Sequence, residues 1–468
     1  MRKTNIFTLL CAPALLAMAQ PVPIDSTTAQ LPPGQPAHRT AAAPVPTIIH
    51  AGTLLAVPGE QPMQQASLVL VDGKVQSVMP GYVDATAAGL PADTEIVDLR
   101  DKFVMPGFMD MHVHLSSGGP SRTDPMLRLR QPAEYWAITA YANGVDTLMA
   151  GFTTVRDLGS TGDGLFALRD AVESGVVAGP KIIAAGEGIS PTNGHADSHG
   201  LRRDLMEAEV RRGVCDGADE CSKATRSAIK YGADVIKVHV TGGVLDDSNA
   251  GTGQQFTNEE LQAIADAGHM MGRKVTTHAH GKEGIDAAVR AGYDSIEHAM
   301  WADEESLELM KEHGTWLVPT VWPITWVGDT REKIDAGPFA NLRPNSLAKL
   351  YQLGDQPKKM VRMAIEKGVG IALGTDNGIA PHGTNAREML EYVNAGMSPM
   401  EALKTGTVNA SLAGGLPDRG KLEPGMDADV IALDSNPLDN IEAVLSVDFV
   451  MRDGLVFKKD GEPTGMVR

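Results

Sequence analysis

Phe108-Met109-Asp110-Met111-His112-Val113-His114 is an apolar run of strand length that closes on two histidines one residue apart. Side chains alternate along a strand with period two, so His112 and His114 project to one face, where two imidazoles can share a metal. A lone His-x-His is a weak sign. What gives this one weight is its setting. Seven more short apolar runs follow, at 153–157, 181–185, 234–240, 274–278, 294–298, 315–320 and 370–376, with helical stretches between them. One such stretch opens with Thr257-Asn258-Glu259-Glu260, a capping-type start. Alternating strands and helices imply parallel pairing with covered faces. Eight such units predict an α/β fold built on a closed, TIM-like (β/α)8 barrel.

In such barrels the chemistry gathers at the C-terminal ends of the strands. Four further runs end on side chains suited to it: Lys237 after Asp234-Val235-Ile236, His278 after Thr276-Thr277, His298 after Ile296-Glu297, and Asp376 after Gly374-Thr375. Any one of these histidines alone reads equally well as a hydrogen-bonded structural residue. Five strand ends together are better explained by a metal centre. Lys237 stands apart, because an ammonium group has no lone pair for a metal and is costly to bury. It can pair with a carboxylate, or it can react with CO2 to give an anionic carbamate able to bridge two cations; burial that lowers the amine pKa favours the second.

The loops after the strands would read a substrate. Ser116 and Ser117 follow the first strand, residues 192–199 the third, and Thr241-Gly242-Gly243 the fourth. Ser117, His195, His280 and His382 are candidates for orienting a carbonyl or a terminal carboxylate, weighed against solvated loop residues. His239 shares a strand face with Lys237 and is placed to support a ligand.

The flanks read differently. Residues 1–19 carry Arg2 and Lys3, an apolar run and Ala17-Met18-Ala19, the layout of a secretory signal peptide, which predicts export to a periplasmic or extracellular space. The Pro- and Ala-rich residues 20–46 read as a flexible leader. Short β runs at 48–55, 67–71, 75–78 and 95–99 return as 429–433, 444–451 and 455–458. Asp72-Gly73 and Asp453-Gly454 mark turns. Residues 47–106 and 408–468 are therefore expected to form one small composite β-sandwich domain around a catalytic barrel at 107–407. Cys215 and Cys221 are close enough for a disulfide in an oxidising compartment, or are two separate thiols. A formal net charge of −18 argues against nucleic acid and anionic membrane surfaces as partners. No stretch reads as a membrane anchor.

Taken together, residues 103–114, Gly151-Phe152-Thr153-Thr154-Val155-Arg156-Asp157, the 232–237 segment, His278-Ala279-His280-Gly281, Ile296-Glu297-His298, Gly374-Thr375-Asp376 and the 420–429 segment resemble the amidohydrolase superfamily. The branch they most resemble is the imidazolonepropionase-like one, with Xaa-Pro dipeptidases and ochratoxin-hydrolysing amidohydrolases. The resemblance implies that His112 and His114 hold one metal and His278 and His298 a second, more exposed one. Carboxylated Lys237 would bridge them, and Asp376 would be both ligand and general base. It leaves His280 for substrate or support. It also implies a homo-oligomer, octamers being known among relatives.

The chemistry this predicts is hydrolysis of a small amide or peptide-like substrate with a free C-terminal carboxylate, such as an Xaa-Pro dipeptide, an N-acyl amino acid or ochratoxin A, cleaved to phenylalanine and ochratoxin alpha. The nitrogen-and-oxygen ligand set favours two Zn2+ ions, with manganese or cobalt able to substitute. The alternatives are a cyclic amide hydrolase or deaminase and, in another class, an inactive scaffold of the same fold. A mononuclear deaminase would not need a carboxylated lysine, and a dead scaffold would be expected to lose ligands.

Overall fold

The computed structural model describes residues 44–118, 127–160, 162–199, 202–208, 212–246 and 251–467. The expected signal peptide and nearly all of the leader lie outside them. Strands β1 (Thr47–Leu54), β2 (Met63–Val71), β3 (Lys74–Pro80) and β4 (Glu95–Pro106) come from one flank of the chain. Strands β12 (Val430–Leu433), β13 (Val447–Arg452), β14 (Leu455–Lys459) and β15 (Glu462–Pro463) come from the other. The expected sandwich is, by hydrogen bonding, one eight-stranded sheet in the order β15-β14-β13-β12-β4-β1-β2-β3. The reason is β4, which runs 12 residues, well beyond the 95–99 run. It pairs in parallel with β1 and antiparallel with β12, joining the two sets. Both Asp-Gly pairs are hairpin turns. Asp72 and Gly73 (φ 51° and 74°) and Asp453 and Gly454 (φ 50° and 76°) adopt the doubly left-handed backbone that a two-residue turn between twisted strands requires.

Between the flanks lie two parallel sheets. Strands β5 (Phe108–Val113), β6 (Phe152–Asp157) and β7 (Lys181–Ala184) form one, in the order β5-β6-β7. Strands β8 (Val235–His239), β9 (Lys274–Ala279), β10 (Ser295–His298) and β11 (Trp316–Val318) form the other, in the order β11-β10-β9-β8. The eighth expected strand, 370–376, makes no ladder of its own, but parallel bridges at Leu317–Ile371 and Val113–Asn377 bracket it. A further parallel bridge, Ile189–Val238, joins the chain after β7 to β8.

Helices cover the outer faces. Ile236 and Val238 of β8, Val275 of β9 and Ile296 of β10 pack in one cluster with Leu261 and Ile264 of the Asn258–Met270 helix and Ile285 and Val289 of the Lys282–Arg290 helix. Each such buried side chain contributes about 1.5–3 kcal/mol. Alternation then turns Lys237 and His239 to the other face. The Thr257 and Glu260 capping box is formed: Thr257 Oγ1 accepts the Glu260 N–H, and the Glu260 carboxylate accepts the Thr257 N–H at 2.7 Å. The expected 444–451 run begins three residues later, at Val447, because 441–445 forms a 3-10 turn whose N-cap, Asn440, accepts the Glu442 N–H. Cys215 and Cys221 are disulfide-bonded within the same core cluster as Leu261. Among the described residues, no helix is long and apolar enough to cross a membrane.

Candidate active site

A cavity of about 300 Å3 opens at the C-terminal ends of the parallel strands. His112, His114, Lys237, His278, His298 and Asp376 all line it, joined by Ser117, His195, His239 and His280. The opposite wall is apolar, with Val244, Met300, Pro323 and Ile324 among its residues. A second cavity of similar volume adjoins it and shares His114, Ser117, His195 and His239. A larger one, about 430 Å3, lies among the other strand ends near Lys181 and Lys274 and contains no histidine.

Ligand atoms of His112, His298 and Asp376 lie within 4.8 Å of one another. Asp376 Oδ1 is 3.6 Å from His112 Nε2 and 3.1 Å from His114 Nε2. His112 Nδ1 lies 2.9 Å from the Glu297 carboxylate, and His114 Nδ1 lies 2.9 Å from the Gly159 carbonyl oxygen. Both partners only accept, so each Nδ1 carries the proton and each Nε2 turns a lone pair to the centre, the form a metal needs. The rings of His278 and His298 are 4.6 Å apart, and His278 Nε2 is buried with no hydrogen-bond partner among the described residues. Lys237 is 2% exposed. Among the described residues no hydrogen bond or ion pair reaches its Nζ. Burial pushes its pKa down to about 8, against the pull of Glu297 and Asp376. An unpaired buried amine of this kind is a fit precursor for a carbamate, and the imidazoles around it are a fit donor set for divalent cations.

Four residues of this region adopt left-handed backbone without being glycine: His298 (φ 71°), Ala299 (φ 50°), Thr320 (φ 53°) and Asp376 (φ 55°). Each costs of order 1–3 kcal/mol and persists only where the surroundings over-determine it. The effect at β10 is informative. Strand alternation puts Glu297 and His298 on opposite faces, yet Glu297 bonds the His112 ring and His298 lies 5.0 Å from it, ring to ring. The left-handed turn at His298 brings both to one place. Thr320 Oγ1 then holds His298 Nδ1 at 2.7 Å.

Glu297 is fully buried and was not among the residues the strand ends pointed to. Besides His112 it accepts from Arg156 Nη2 at 3.0 Å, from Ser295 Oγ at 2.8 Å and from Thr276 Oγ1. Burial opposes its charge, but Arg156 and His112 outweigh it and hold its pKa down at about 2. Asp110 is equally buried. It accepts the backbone N–H groups of His112 and Thr375, the Thr375 hydroxyl and the Asn385 amide, so it ties the His-x-His strand to the 370–376 run. A carboxylate inside an apolar strand was the signal for both.

The substrate candidates divide. Ser117, His195 and His280 line the cavity, and His280 stacks against His298 with ring centroids 5.1 Å apart. His382 does not line it; its Nε2 lies 3.2 Å from the Ser117 carbonyl oxygen.

Three comparisons bear on this site. The profile of the amidohydrolase family matches residues 103–456. An ochratoxinase from Aspergillus niger is 36% identical over 436 residues, covering 89% of this chain and 87% of that protein. An imidazolonepropionase from Paracoccus denitrificans is 25% identical over 410 residues, covering 80% and 88%. The crystal structure of a Xaa-Pro dipeptidase with bound methionine in its active site superposes with a TM-score of 0.83 at 38% identity, covering 88% of this chain and all of that one.

Proposed function

The chain belongs to the amidohydrolase family, and from that premise we propose a two-metal hydrolase of peptide-like substrates bearing a free C-terminal carboxylate. Xaa-Pro dipeptides, N-acyl amino acids and ochratoxin A are the substrates to test first. The observation that carries this reading is the gathering of His112, His114, Lys237, His278, His298 and Asp376 around one cavity. His112 and His114 would hold one divalent metal, His278 and His298 a second, and carboxylated Lys237 would lie between them, with zinc favoured by the donor set. Such ions, when bound, make water more acidic and polarise a carbonyl.

The protein's own groups do the rest. Asp376, which lines the cavity beside His112 and His114, takes the proton of the attacking water and returns it to the departing nitrogen, which an amine leaving group requires. Val244, Met300 and Ile324 offer an apolar wall for the acyl side, while Ser117 and His280 face the terminal carboxylate and His195 faces the amide. In this reading the two parallel sheets and the 370–376 run close into a (β/α)8 barrel. The three isolated bridges support that closure. The disulfide supports export to an oxidising compartment. A homo-oligomer is proposed by analogy with the branch.

The test is a product-release assay across N-acyl amino acids, Xaa-Pro dipeptides, ochratoxin A and cyclic amides, with metal content measured on the same preparation. Release of free amino acid with close to two metals per chain is expected. Turnover of cyclic amides alone, or one metal after full reconstitution, would overturn the reading.

A further inference from the structure

His195 is held more firmly than a loop histidine needs to be. Its Nδ1 lies 2.5 Å from Asp246 Oδ2. A carboxylate only accepts, so Nδ1 carries the proton and Nε2 is the atom left to face the cavity. The ring stacks on His278 at 4.2 Å and 23°, and its backbone N–H donates to Gln255 Oε1 at 3.0 Å. Gly243 completes the seat. A Cβ there would stand 2.1 Å from His195 Cε1, so the close approach of ring to backbone requires glycine.

Asp246 is itself fixed from a distant part of the chain. Its Oδ2 also accepts the Gly243 N–H at 2.7 Å, and its Oδ1 accepts from Lys349 Nζ at 2.5 Å. Lys349 donates further to the carbonyl oxygens of Gly243 and Asp246, at 2.7 and 2.9 Å. Ser346, one turn earlier on the Pro344–Leu353 helix, donates to the Asp246 carbonyl oxygen at 2.7 Å. A lysine-aspartate pair could join the helix to the loop without a histidine. Here the carboxylate's second oxygen is spent on an imidazole that lines both cavities at the candidate centre.

We propose that Asp246, anchored by Lys349, is a positioning residue that fixes the His195 ring with its Nε2 lone pair turned to the substrate as a hydrogen-bond acceptor. The helical segment after β11 thereby sets where an N–H of the substrate is read. This rests on the proposed amide hydrolysis for its kinetic consequence and on geometry alone for its structural one.

The test therefore has two arms, both on the metal-loaded protein. In the first, 15N-histidine NMR identifies the His195 signal by its loss in His195→Ala. The parent should show the Nδ1-protonated form, and Asp246→Asn should change that signal while metal content stays at the parent value. In the second, KM and kcat are measured for an N-acyl amino acid in a double-mutant cycle. Asp246→Asn and His195→Ala should each raise KM tenfold or more, with kcat less affected, and the double variant should be no worse than His195→Ala. Lys349→Met should follow Asp246→Asn more weakly, and it replaces that variant if the latter does not fold. An unchanged His195 signal, or additive effects in the cycle, overturns the proposal. A parent that turns over no such substrate overturns the function proposed above, and the NMR arm still decides this one.

Discussion

Glu297→Gln should weaken the fold and the metal site together, because the carboxylate carries two loads. It is the counter-charge of Arg156, whose Nη2 lies 3.0 Å away in a site where both side chains are essentially buried. It also orients His112 by accepting from Nδ1. Its pKa is held at about 2 against an ordinary 4.5. At 1.36 kcal/mol per pK unit that difference is about 3 kcal/mol of preference for the ionised form. The variant leaves a buried guanidinium without its counter-ion, a change that costs about 3–5 kcal/mol. It also replaces the carboxylate that orients His112 by a neutral amide, and a change in a partner of this kind weakens metal binding about 10–100-fold. Urea denaturation followed by circular dichroism measures the first effect, and chelator competition the second. Because the folded-state pKa is depressed, the stabilisation is present above about pH 4.5 and is lost as pH falls towards 2. Adding Arg156→Met should recover part of the stability by removing the orphaned charge. A Glu297→Gln protein as stable as the parent, with parent metal affinity, would refute the reasoning.

Three further outcomes are expected. Asp376→Asn should fold normally and lose about 10²–10⁴-fold in kcat; an unchanged rate constant would remove Asp376 from proton transfer. Lys237→Ala should bind fewer metals by elemental analysis and lose turnover, and parent metal content would end the carbamate proposal. Cys215→Ser should lower unfolding free energy by about 2 kcal/mol, since the closed loop is short, and chemical denaturation of oxidised parent against variant checks it.

What could be read in the sequence was whatever follows from period two. His112, Lys237 and His278 lie at strand ends on inward faces, and both Asp-Gly turns are where the pattern placed them. His298 and Asp376 are legible as strand-end residues, but not how they reach the centre, since a left-handed residue breaks the alternation on which that reading rests. Glu297 was hidden by its neighbour. A carboxylate preceding a histidine ligand looks like spacer until Arg156, 141 residues earlier, is seen to pair with it. The same holds for Asp246 and Lys349, 103 residues apart, whose contact no local pattern encodes. The 444–451 run extends too far at its start because Val444 and Leu445 suit a strand, and only the Asn440 cap draws them into a 3-10 turn.

The seam at β4 has a consequence for how the protein is made. Pro106 of β4 is the partner of Val430 of β12, so one edge of β4 leaves the ribosome long before its neighbour does. At about 5–20 residues per second, that edge waits roughly 15–65 s with unpaired backbone donors and acceptors. An open edge is a template for pairing with another chain. Nascent chains stalled before residue 430 should therefore be the aggregation-prone species in synthesis, and slow translation of the barrel segment should lower soluble yield even when the finished fold is unaltered.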